Sequence, residues 1–281
     1  MIPGSPEWAA KVTASKVAAI LGLSPWDSPL TAWLKMHGDL PSDNGSNAEA
    51  KRRGHYLEAG CLKWWADQGE GPRSITAEQP TGLLDDWGAA TPDALALDGE
   101  DTVLVEAKTD GVEYEWVEVP AHYAAQALWQ LACFPDVQRV HFAVLHLGLR
   151  FREYVVERDD ATITGLIDTC RAFYDTLAAD TPPPLSGMAC EYEALRKVHP
   201  QIDRDAVVVL PDDLVDAYLL DAAHEQRSTA TKARVLDAMG TARLAKSTSG
   251  QTIARRQPKG DAVTLVRVAA PLPIDTESDA A

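Results

Sequence analysis

The sequence predicts an α/β (α+β) fold, because strand-like and helix-like segments follow one another along the chain. The clearest strand is residues 102–108, in which Leu104, Glu106 and Lys108 share one face because side chains alternate along a strand. Apolar residues at helical spacing mark four further segments, residues 13–22, 47–68, 120–133 and 161–177. The 281 residues are 46% hydrophobic, which is enough to bury a sizeable core.

The first two predicted helices are recognised by their ends. Residues 13–22 begin with hydroxyl residues that can cap a helix, and they end at a glycine. A second helix is predicted between Ser28, its N-cap, and Gly38, which lies beyond its last turn. Ser15 is either part of the first cap or a phosphate contact, because hydroxyls and amides at a helix N-terminus attract anions.

The third predicted helix, residues 47–68, carries a carboxylate on an otherwise apolar face. Glu58 shares that face with residues at helical spacing, namely Gly54, Leu57, Cys61, Leu62 and Trp65. An ionised carboxylate on a buried face is costly unless it is paired or bound to a metal ion. Glu58 is therefore either a metal-site residue or the partner of an arginine such as Arg53 or Arg73. Gly54, one turn earlier, would leave room for a ligand.

The central candidate site lies on a predicted β-hairpin. Asp93 ends a Thr-Pro-Asp stretch, and residues 98–101, Asp-Gly-Glu-Asp, form a turn signal before the strand of Glu106 and Lys108. The hairpin would bring Asp93 beside Glu106. Two carboxylates and a lysine on adjacent strands suit Mg2+, which prefers hard oxygen ligands and keeps several waters. The alternative is a surface hairpin with an exposed glutamate and lysine.

Helices and strands continue beyond this hairpin. A proline opens the helix at residues 120–133, and three polar residues fall on one line of it, His122, Gln126 and Gln130. Gln126 either holds a water or phosphate oxygen or is an ordinary surface residue. Strands are predicted at residues 139–145 and 149–157, before the helix at residues 161–177 and a stiff break at three prolines.

Composition excludes several classes of protein. The cysteines are scattered without a CxxC pair, so we predict buried reduced thiols and not a zinc or iron–sulfur site; they are Cys61, Cys133, Cys170 and Cys190. A net charge of −16 argues against coating DNA with the whole surface, although a local basic track remains compatible with it. With no apolar run of roughly 20 residues and no evident signal peptide, a cytoplasmic protein without a membrane partner is expected.

Four ordered motifs resemble those of one nuclease family. They are Thr-Ala-Ser at 13–15 followed by Val-Ala-Ala-Ile-Leu-Gly, Arg53-Gly54 with Glu58, Thr91-Pro92-Asp93 with Glu106-Ala107-Lys108, and Tyr123 with Gln126. Through these motifs, residues 13 to about 184 resemble the YqaJ-type viral recombinases, the lambda-exonuclease-like branch of the PD-(D/E)xK nucleases. The resemblance implies a restriction-endonuclease-like core over residues 1–184, in which a mixed central sheet is flanked by helices.

The resemblance also implies a metal centre. Asp93, Glu106 and the main-chain carbonyl of Ala107 would hold one Mg2+, and Glu58 would lie near a second ion or its waters. Mn2+ would be able to replace Mg2+. In the family pattern, Lys108 would orient or help deprotonate the attacking water. Gln126 would contact that water or a neighbouring phosphate.

The same resemblance implies contacts to DNA around a terminal 5′-phosphate. Ser15 and Thr91 lie where the family's exonucleases place hydroxyls, and three further DNA contacts are predicted, Lys11, Arg53 and Tyr123. The sequence departs from the family at one position. An arginine usually precedes the Thr-Ala-Ser motif, whereas the seventh residue before Ser15 is Trp8 and the nearest preceding basic residue is Lys11. The preference for ends over internal bonds is therefore open.

Residues 185–272 are predicted to form a C-terminal extension, with one long helix or a helical hairpin and then a β-hairpin. A basic cluster surrounds the turn of this β-hairpin, with Arg255, Arg256 and Lys259 as its predicted DNA-binding members. The cluster is either a DNA-backbone contact or a solvated turn that binds nothing. Residues 273–281 are predicted to be a disordered acidic tail.

These features together predict a Mg2+-dependent phage-type deoxyribonuclease, specifically a 5′-to-3′ exonuclease that resects double-stranded DNA ends for recombination by single-strand annealing. By family analogy, its partners are a phage single-strand annealing protein and further copies of itself in a ring. The sequence lacks a GxxxxGK[ST] loop, so ATP is not expected. The alternatives are an endonuclease on internal or branched DNA and a non-catalytic DNA-binding or recruitment module, whereas missing clustered cysteines disfavour a RecB-like nuclease.

Overall fold

The computed structural model describes residues 5–41, 48–69, 71–111, 115–198, 207, 209–239, 242–259 and 262–268. The chain forms two compact units, Met1–Ile202 and Asp203–Ala281. The first unit thus continues past residue 184, and the domain boundaries expected at residues 184 and 272 stay predictions. Across the described ranges, no helix is both long enough and apolar enough to span a bilayer.

The first unit contains both helices and strands, as the sequence predicts. Its helices are α1 (Pro6–Ala9), α2 (Ala14–Ile20), α3 (Pro29–His37), α4 (Ala48–Asp67), α5 (Ala121–Cys133), α6 (Asp160–Ala178) and α7 (Ala189–Val198). Its strands are β1 (Val12–Thr13), β2 (Arg73–Glu78), β3 (Gly82–Leu84), β4 (Gly88–Ala90), β5 (Ala94–Asp98), β6 (Asp101–Asp110), β7 (Arg139–His146) and β8 (Arg150–Glu157).

The central sheet has five strands in the order β2-β5-β6-β7-β8. Strands β6 and β7 run parallel, whereas the other neighbouring pairs are antiparallel. A parallel pair needs a long connection, and here α5 lies in the connection between β6 and β7. The sheet is therefore mixed and flanked by helices, which confirms the predicted fold class.

Helices cover both faces of β6. On one face, Val103 and Val105 pack in a cluster with Cys61 and Trp65 of α4. On the other face, Leu104 lies in a cluster formed mainly by α5 and β7. Because side chains alternate along β6, Glu106 and Lys108 follow Leu104 toward α5.

A third cluster joins α2, α3, α5, α6 and α7 to a small sheet of order β1-β4-β3. The ends of α3 are those that the sequence predicts. Ser28 Oγ accepts from the N–H of Thr31 at 3.2 Å, and Thr31 Oγ1 accepts from the N–H of Ser28 at 2.9 Å. Gly38 ends the helix with a φ of 100°, a left-handed conformation that favours glycine.

The predicted thiols are buried at Cys61, Cys133 and Cys170, whereas Cys190 is partly exposed.

The second unit contains one long helix and a three-stranded antiparallel sheet. They are α8 (Asp212–Met239), β9 (Leu244–Lys246), β10 (Thr252–Lys259) and β11 (Ala262–Arg267). The predicted β-hairpin corresponds to β10 and β11, and β9 pairs with β10 as an additional strand. The tail predicted at residues 273–281 lies outside the described residues.

Candidate active site

Strands β5 and β6 place Asp93 and Glu106 side by side. The register pairs Ala94 with Val105, so Asp93, just before β5, faces Glu106. Asp93 Oδ2 accepts the main-chain N–H of Ala107 at 2.7 Å. Glu106 is 5% exposed, so the alternative of a surface hairpin is wrong.

Both carboxylate oxygens of Glu106 accept hydrogen bonds. Oε1 accepts from Lys108 Nζ at 2.8 Å and from Gln126 Nε2 at 2.6 Å. Oε2 accepts from Gln130 Nε2 at 2.6 Å. Gln126 is therefore part of the site and not an ordinary surface residue.

Gln130 is a site residue that the sequence pattern does not single out. It is fully buried and lies one turn beyond Gln126 on α5. Its position on one helical line with His122 and Gln126 was the available signal. That spacing could not show which of the three side chains meets a carboxylate.

Burial and the neighbouring charge of Glu106 raise the pKa of Asp93 to about 8. Burial acts to lower the pKa of Lys108, but the charges of Glu106 and Asp93 outweigh it and raise that pKa above its usual value. The site is thus two adjacent acids beside one ammonium. A bound divalent cation would offset the repulsion between the two carboxylates.

Glu58 lies at the edge of a cavity of about 130 Å³ that Asp93, Glu106, Ala107 and Lys108 also line. Glu58 Oε2 is 3.7 Å from Nδ1 of His55, one helical turn earlier. The proposed pairing of Glu58 with Arg73 is wrong, because Arg73 is paired with Asp98 at 2.9 Å and Glu153 at 3.0 Å.

Gly54 lines the same cavity, and a Cβ at this position would lie 3.9 Å from Thr109 Oγ1. That separation is ordinary van der Waals contact, so packing does not require glycine at this position. The room for a ligand expected at Gly54 stays a prediction.

The donors present fit a hard divalent cation. Asp93 and Glu106 supply carboxylates, and Ala107, whose carbonyl is the third expected donor, lines the cavity beside them. Mg2+ is often bound by only one or two carboxylates and keeps several waters. In the part of the chain that the structure describes, no three His, Cys, Asp or Glu side chains are grouped closely enough to enclose a metal ion.

A larger cleft of about 1120 Å³ adjoins this cavity and shares Gly54, Ala107, Lys108 and Thr109 with it. Its walls carry five cationic side chains and two carboxylates, namely Lys16, Lys35, Arg53, Lys108 and Lys197 with Asp27 and Glu193. Lys35 is paired with Asp27, Lys108 is paired with Glu106, and burial lowers the pKa of Lys16 to about 8. The cleft therefore has a modest local excess of positive charge in a chain of net charge −16. The sign of this excess suits a polyanion.

The predicted phosphate contacts lie at different places in the first unit. Ser15 is exposed, lines the cleft, and has its Oγ 3.2 Å from Thr13 Oγ1. Thr91 Oγ1 is buried and has no hydrogen-bond partner among the described residues. Lys11 donates from Nζ to the main-chain carbonyl of Asp86. These phosphate roles stay predictions.

Arg53 and Tyr123 also line the cleft, and the ring of Tyr123 lies 4.9 Å from Lys108 Nζ. In the second unit, Arg255 is exposed and Arg256 is partly buried, both on β10. The side chain of Lys259 lies outside the described part of the chain. The DNA contacts expected of all five residues stay predictions.

A buried polar network behind the site is likewise not indicated by any local sequence pattern. Trp65 Nε1 of α4 donates to Glu153 Oε1 at 3.0 Å, and Arg73 Nη1 donates to Glu153 Oε2 at 3.0 Å. His141 Nδ1 is hydrogen-bonded to the same carboxylate. Burial acts to raise the pKa of Glu153, but these partners lower it to about 2. The network fastens α4, the helix of Glu58, to β8.

Residues 8–134 match the model of the YqaJ-like viral recombinase domain. This match confirms the resemblance that the motifs indicated and spans Ser15, Glu58, Asp93, Glu106 and Gln126. A Bacillus subtilis (strain 168) relative, the uncharacterized protein YqaJ, is 26% identical over 209 residues, which are 71% of this chain. The aligned part spans 63% of that relative's length.

Solved structures give more distant likenesses. An alkaline exonuclease (LHK-Exo) from Laribacter hongkongensis is 23% identical, with 61% of this chain and 90% of that chain covered and a TM-score of 0.48. A phage related exonuclease from Haemophilus somnus 129PT is 13% identical, with 60% and 96% covered and a TM-score of 0.40. Both TM-scores are below 0.5, so these structures do not support any residue assignment in the site. The site is assigned from its own residues and from the family match.

Proposed function

We propose that this chain is a metal-dependent deoxyribonuclease of phage type. The observation that carries the proposal is the cluster of Asp93, just before β5, with Glu106 and Lys108 of β6. Asp93 accepts the main-chain N–H of Ala107, and Lys108 donates to Glu106. The cluster opens toward a cleft whose walls carry more cations than carboxylates. The match of residues 8–134 to a viral recombinase domain supports DNA as the polyanion.

Asp93, Glu106 and the carbonyl of Ala107 would hold one Mg2+, for which Mn2+ would be able to substitute, and Glu58 would lie near a second ion. When bound, such ions polarise the phosphate and lower the pKa of an attacking water. No nucleotide triphosphate is needed for this reaction.

Lys108 contributes positive charge beside the reacting phosphate. Its ammonium is held by Glu106 at 2.8 Å and lies 4.9 Å from the ring of Tyr123, so two contacts fix its direction. Negative charge develops on the phosphoryl oxygens as water attacks. A fixed cation at that place stabilises the transition state more than the ground state. Lys108 would also orient the attacking water.

Gln126 and Gln130 fix the carboxylate of Glu106. Each oxygen of Glu106 receives one amide N–H at 2.6 Å, so the carboxylate cannot rotate freely. Gln126 is partly exposed and would also contact a water or a phosphate oxygen. Gln130 is fully buried and acts only through Glu106.

The finer proposal is a 5′-to-3′ exonuclease that resects double-stranded DNA ends for single-strand annealing. In this reading Ser15, which is exposed on the cleft wall, would contact the 5′-phosphate. Thr91 Oγ1 is buried, so the contact expected of Thr91 would need the site to open. A phage annealing protein, a ring of identical chains, and a cytoplasmic location complete the proposal by family analogy.

An endonuclease is the second candidate, and one observation favours it. Trp8 lines the cleft at the position where the family usually has an arginine for the terminal phosphate. Loss of that cation would weaken selection of DNA ends without affecting the metal site.

A single digestion experiment tests both candidates. Linear duplex DNA with and without a 5′-phosphate, and a closed circular duplex, are incubated with Mg2+ and the wild-type or Glu106→Gln protein. Release of mononucleotides from the phosphorylated linear DNA alone supports the exonuclease. Cleavage of the circle supports the endonuclease, and no Mg2+-dependent cleavage of any substrate contradicts the nuclease proposal.

A further inference from the structure

Trp26 is an exposed aromatic residue on the wall of the large cleft. Its surface is 55% accessible, although a large aromatic side chain gains free energy from burial. It lies in the turn between α2 and α3, close in sequence to the capping box of α3. The predicted catalytic roles do not include this residue.

The turn that carries Trp26 is held by hydrogen bonds. Ser24 Oγ accepts the main-chain N–H groups of Trp26 at 3.2 Å and Asp27 at 3.1 Å. Asp27 Oδ1 in turn accepts from Lys35 Nζ at 2.7 Å and from Thr31 Oγ1 at 3.2 Å. The backbone that carries the indole is therefore already ordered. Binding of a ligand to the indole then loses little loop entropy.

A row of rings connects Trp26 to the catalytic lysine. The ring centroids of Trp26 and His122 are 5.2 Å apart at an angle of 86°, and those of His122 and Tyr123 are 4.1 Å apart. The ring of Tyr123 then lies 4.9 Å from Lys108 Nζ. The edge contact with His122 orients the indole while more than half of its surface stays accessible.

We propose that Trp26 is a stacking site for a nucleobase of the DNA strand that enters the cleft. The inference rests on the proposed nuclease function and adds a base-binding site to it. Cationic walls bind the sugar-phosphate backbone, whereas an accessible indole offers a flat apolar face to an unpaired base. Stacking is insensitive to sequence because every base has such a face, which suits an enzyme that must accept any DNA.

Binding without metal tests the stacking separately from catalysis. Fluorescence anisotropy in EDTA compares a short labelled oligo(dT) with an otherwise identical strand that lacks its bases. Wild type, Trp26→Leu, Trp26→Phe and Tyr56→Leu are measured with both strands. Tyr56 is the matched control because it is 75% exposed on α4 and does not line the cleft. Circular dichroism confirms that each variant is folded.

The expected result is that Trp26→Leu weakens oligo(dT) binding by about 5- to 100-fold and leaves binding of the abasic strand unchanged. Trp26→Phe should keep most of the affinity, and Tyr56→Leu should match wild type. Equal affinity of wild type and Trp26→Leu for oligo(dT), or equal losses with both strands, would overturn the stacking site. If the base-dependent loss is seen but wild type cleaves no DNA in Mg2+, the stacking site stands and the nuclease proposal fails.

Discussion

Gln130 donates a 2.6 Å hydrogen bond from its side-chain amide to Oε2 of Glu106, and both residues are buried. The other amide atom, Oε1 of Gln130, is buried without a hydrogen-bond partner among the described residues. A buried oxygen without a hydrogen-bond partner lowers the stability of the folded state, so Gln130 is destabilising in this respect. The carboxylate that it holds is the one to which Lys108 and Gln126 also donate.

Gln130→Met removes this donor and the unsatisfied oxygen together, in a side chain of similar length. We expect cleavage to fall by roughly 10- to 100-fold, because loss of a residue that orients a metal ligand has effects of that size. The thermal midpoint should change little. The measurements are cleavage rates as a function of Mg2+ concentration and thermal unfolding. The control is the same residue change at an exposed position, Gln138→Met.

A weaker apparent affinity for Mg2+ in Gln130→Met would identify Gln130 as a positioning residue for Glu106. An equal loss of activity and of thermal stability would instead make its role purely structural.

Lys108→Met keeps the length of the side chain and removes its charge. We expect cleavage to fall by roughly 100- to 1,000-fold, the loss typical of removing one group that stabilises transition-state charge. DNA affinity should fall far less, because other cations line the cleft. Single-turnover cleavage and anisotropy in Ca2+ separate the two effects. Lys63→Met is the control, since Lys63 is exposed on α4.

Cleavage within a few-fold of wild type in Lys108→Met would move the transition-state role to another residue.

Asp93→Asn separates function from stability. Burial and Glu106 raise the pKa of Asp93 from 3.8 to about 8, so the folded state binds this proton more tightly than the unfolded chain. Without metal, the contribution of Asp93 to stability is therefore fully present below the unfolded pKa and is lost as the pH rises through about 8. Asn carries no charge, so we expect Asp93→Asn to be more stable than wild type in EDTA at pH 8.

The same variant should lose Mg2+-dependent cleavage, because an amide is a weak ligand for Mg2+. Chemical unfolding in EDTA at several pH values, together with the digestion assay, checks both halves. Lower stability than wild type at pH 8 would contradict the repulsion between Asp93 and Glu106, and retained cleavage would place the metal site elsewhere.

The local parts of this structure were predictable from sequence, and the long-range parts were not. Alternation in residues 102–108 and the turn signal before them fix the hairpin of Glu106, because both are properties of neighbouring residues. Ser28 and Gly38 fix the ends of α3 for the same reason. In contrast, β1 has only two residues and pairs with β4 across about 75 residues of chain, beyond any local pattern.

The candidate site divides in the same way. Asp93, Glu106 and Lys108 lie on one hairpin, so spacing was enough to bring them together. Gln130 depends on how α5 docks against β6, and a helical line of polar residues does not specify which of them meets Glu106.

The hydrogen-bond network of Glu153 joins elements that are distant in sequence, so it tests the long-range part of the fold. Its partners come from α4, β2 and β7, and they lower the pKa of Glu153 from 4.5 to about 2 although burial acts to raise it. A lowered folded-state pKa contributes stability that is present above pH 4.5 and lost as the pH falls through about 2. At neutral pH this contribution is up to about 3 kcal/mol.

Glu153→Gln should therefore destabilise the protein at pH 7 and have a much smaller effect near pH 2, because wild type has by then lost the same interaction. Urea unfolding of both proteins across this pH range gives the difference in the free energy of unfolding. Glu157→Gln is the control, since Glu157 is exposed on the same strand. A pH-independent difference would mean that the amide disturbs packing around Trp65, and that the charge of Glu153 is not what fastens α4 to β8.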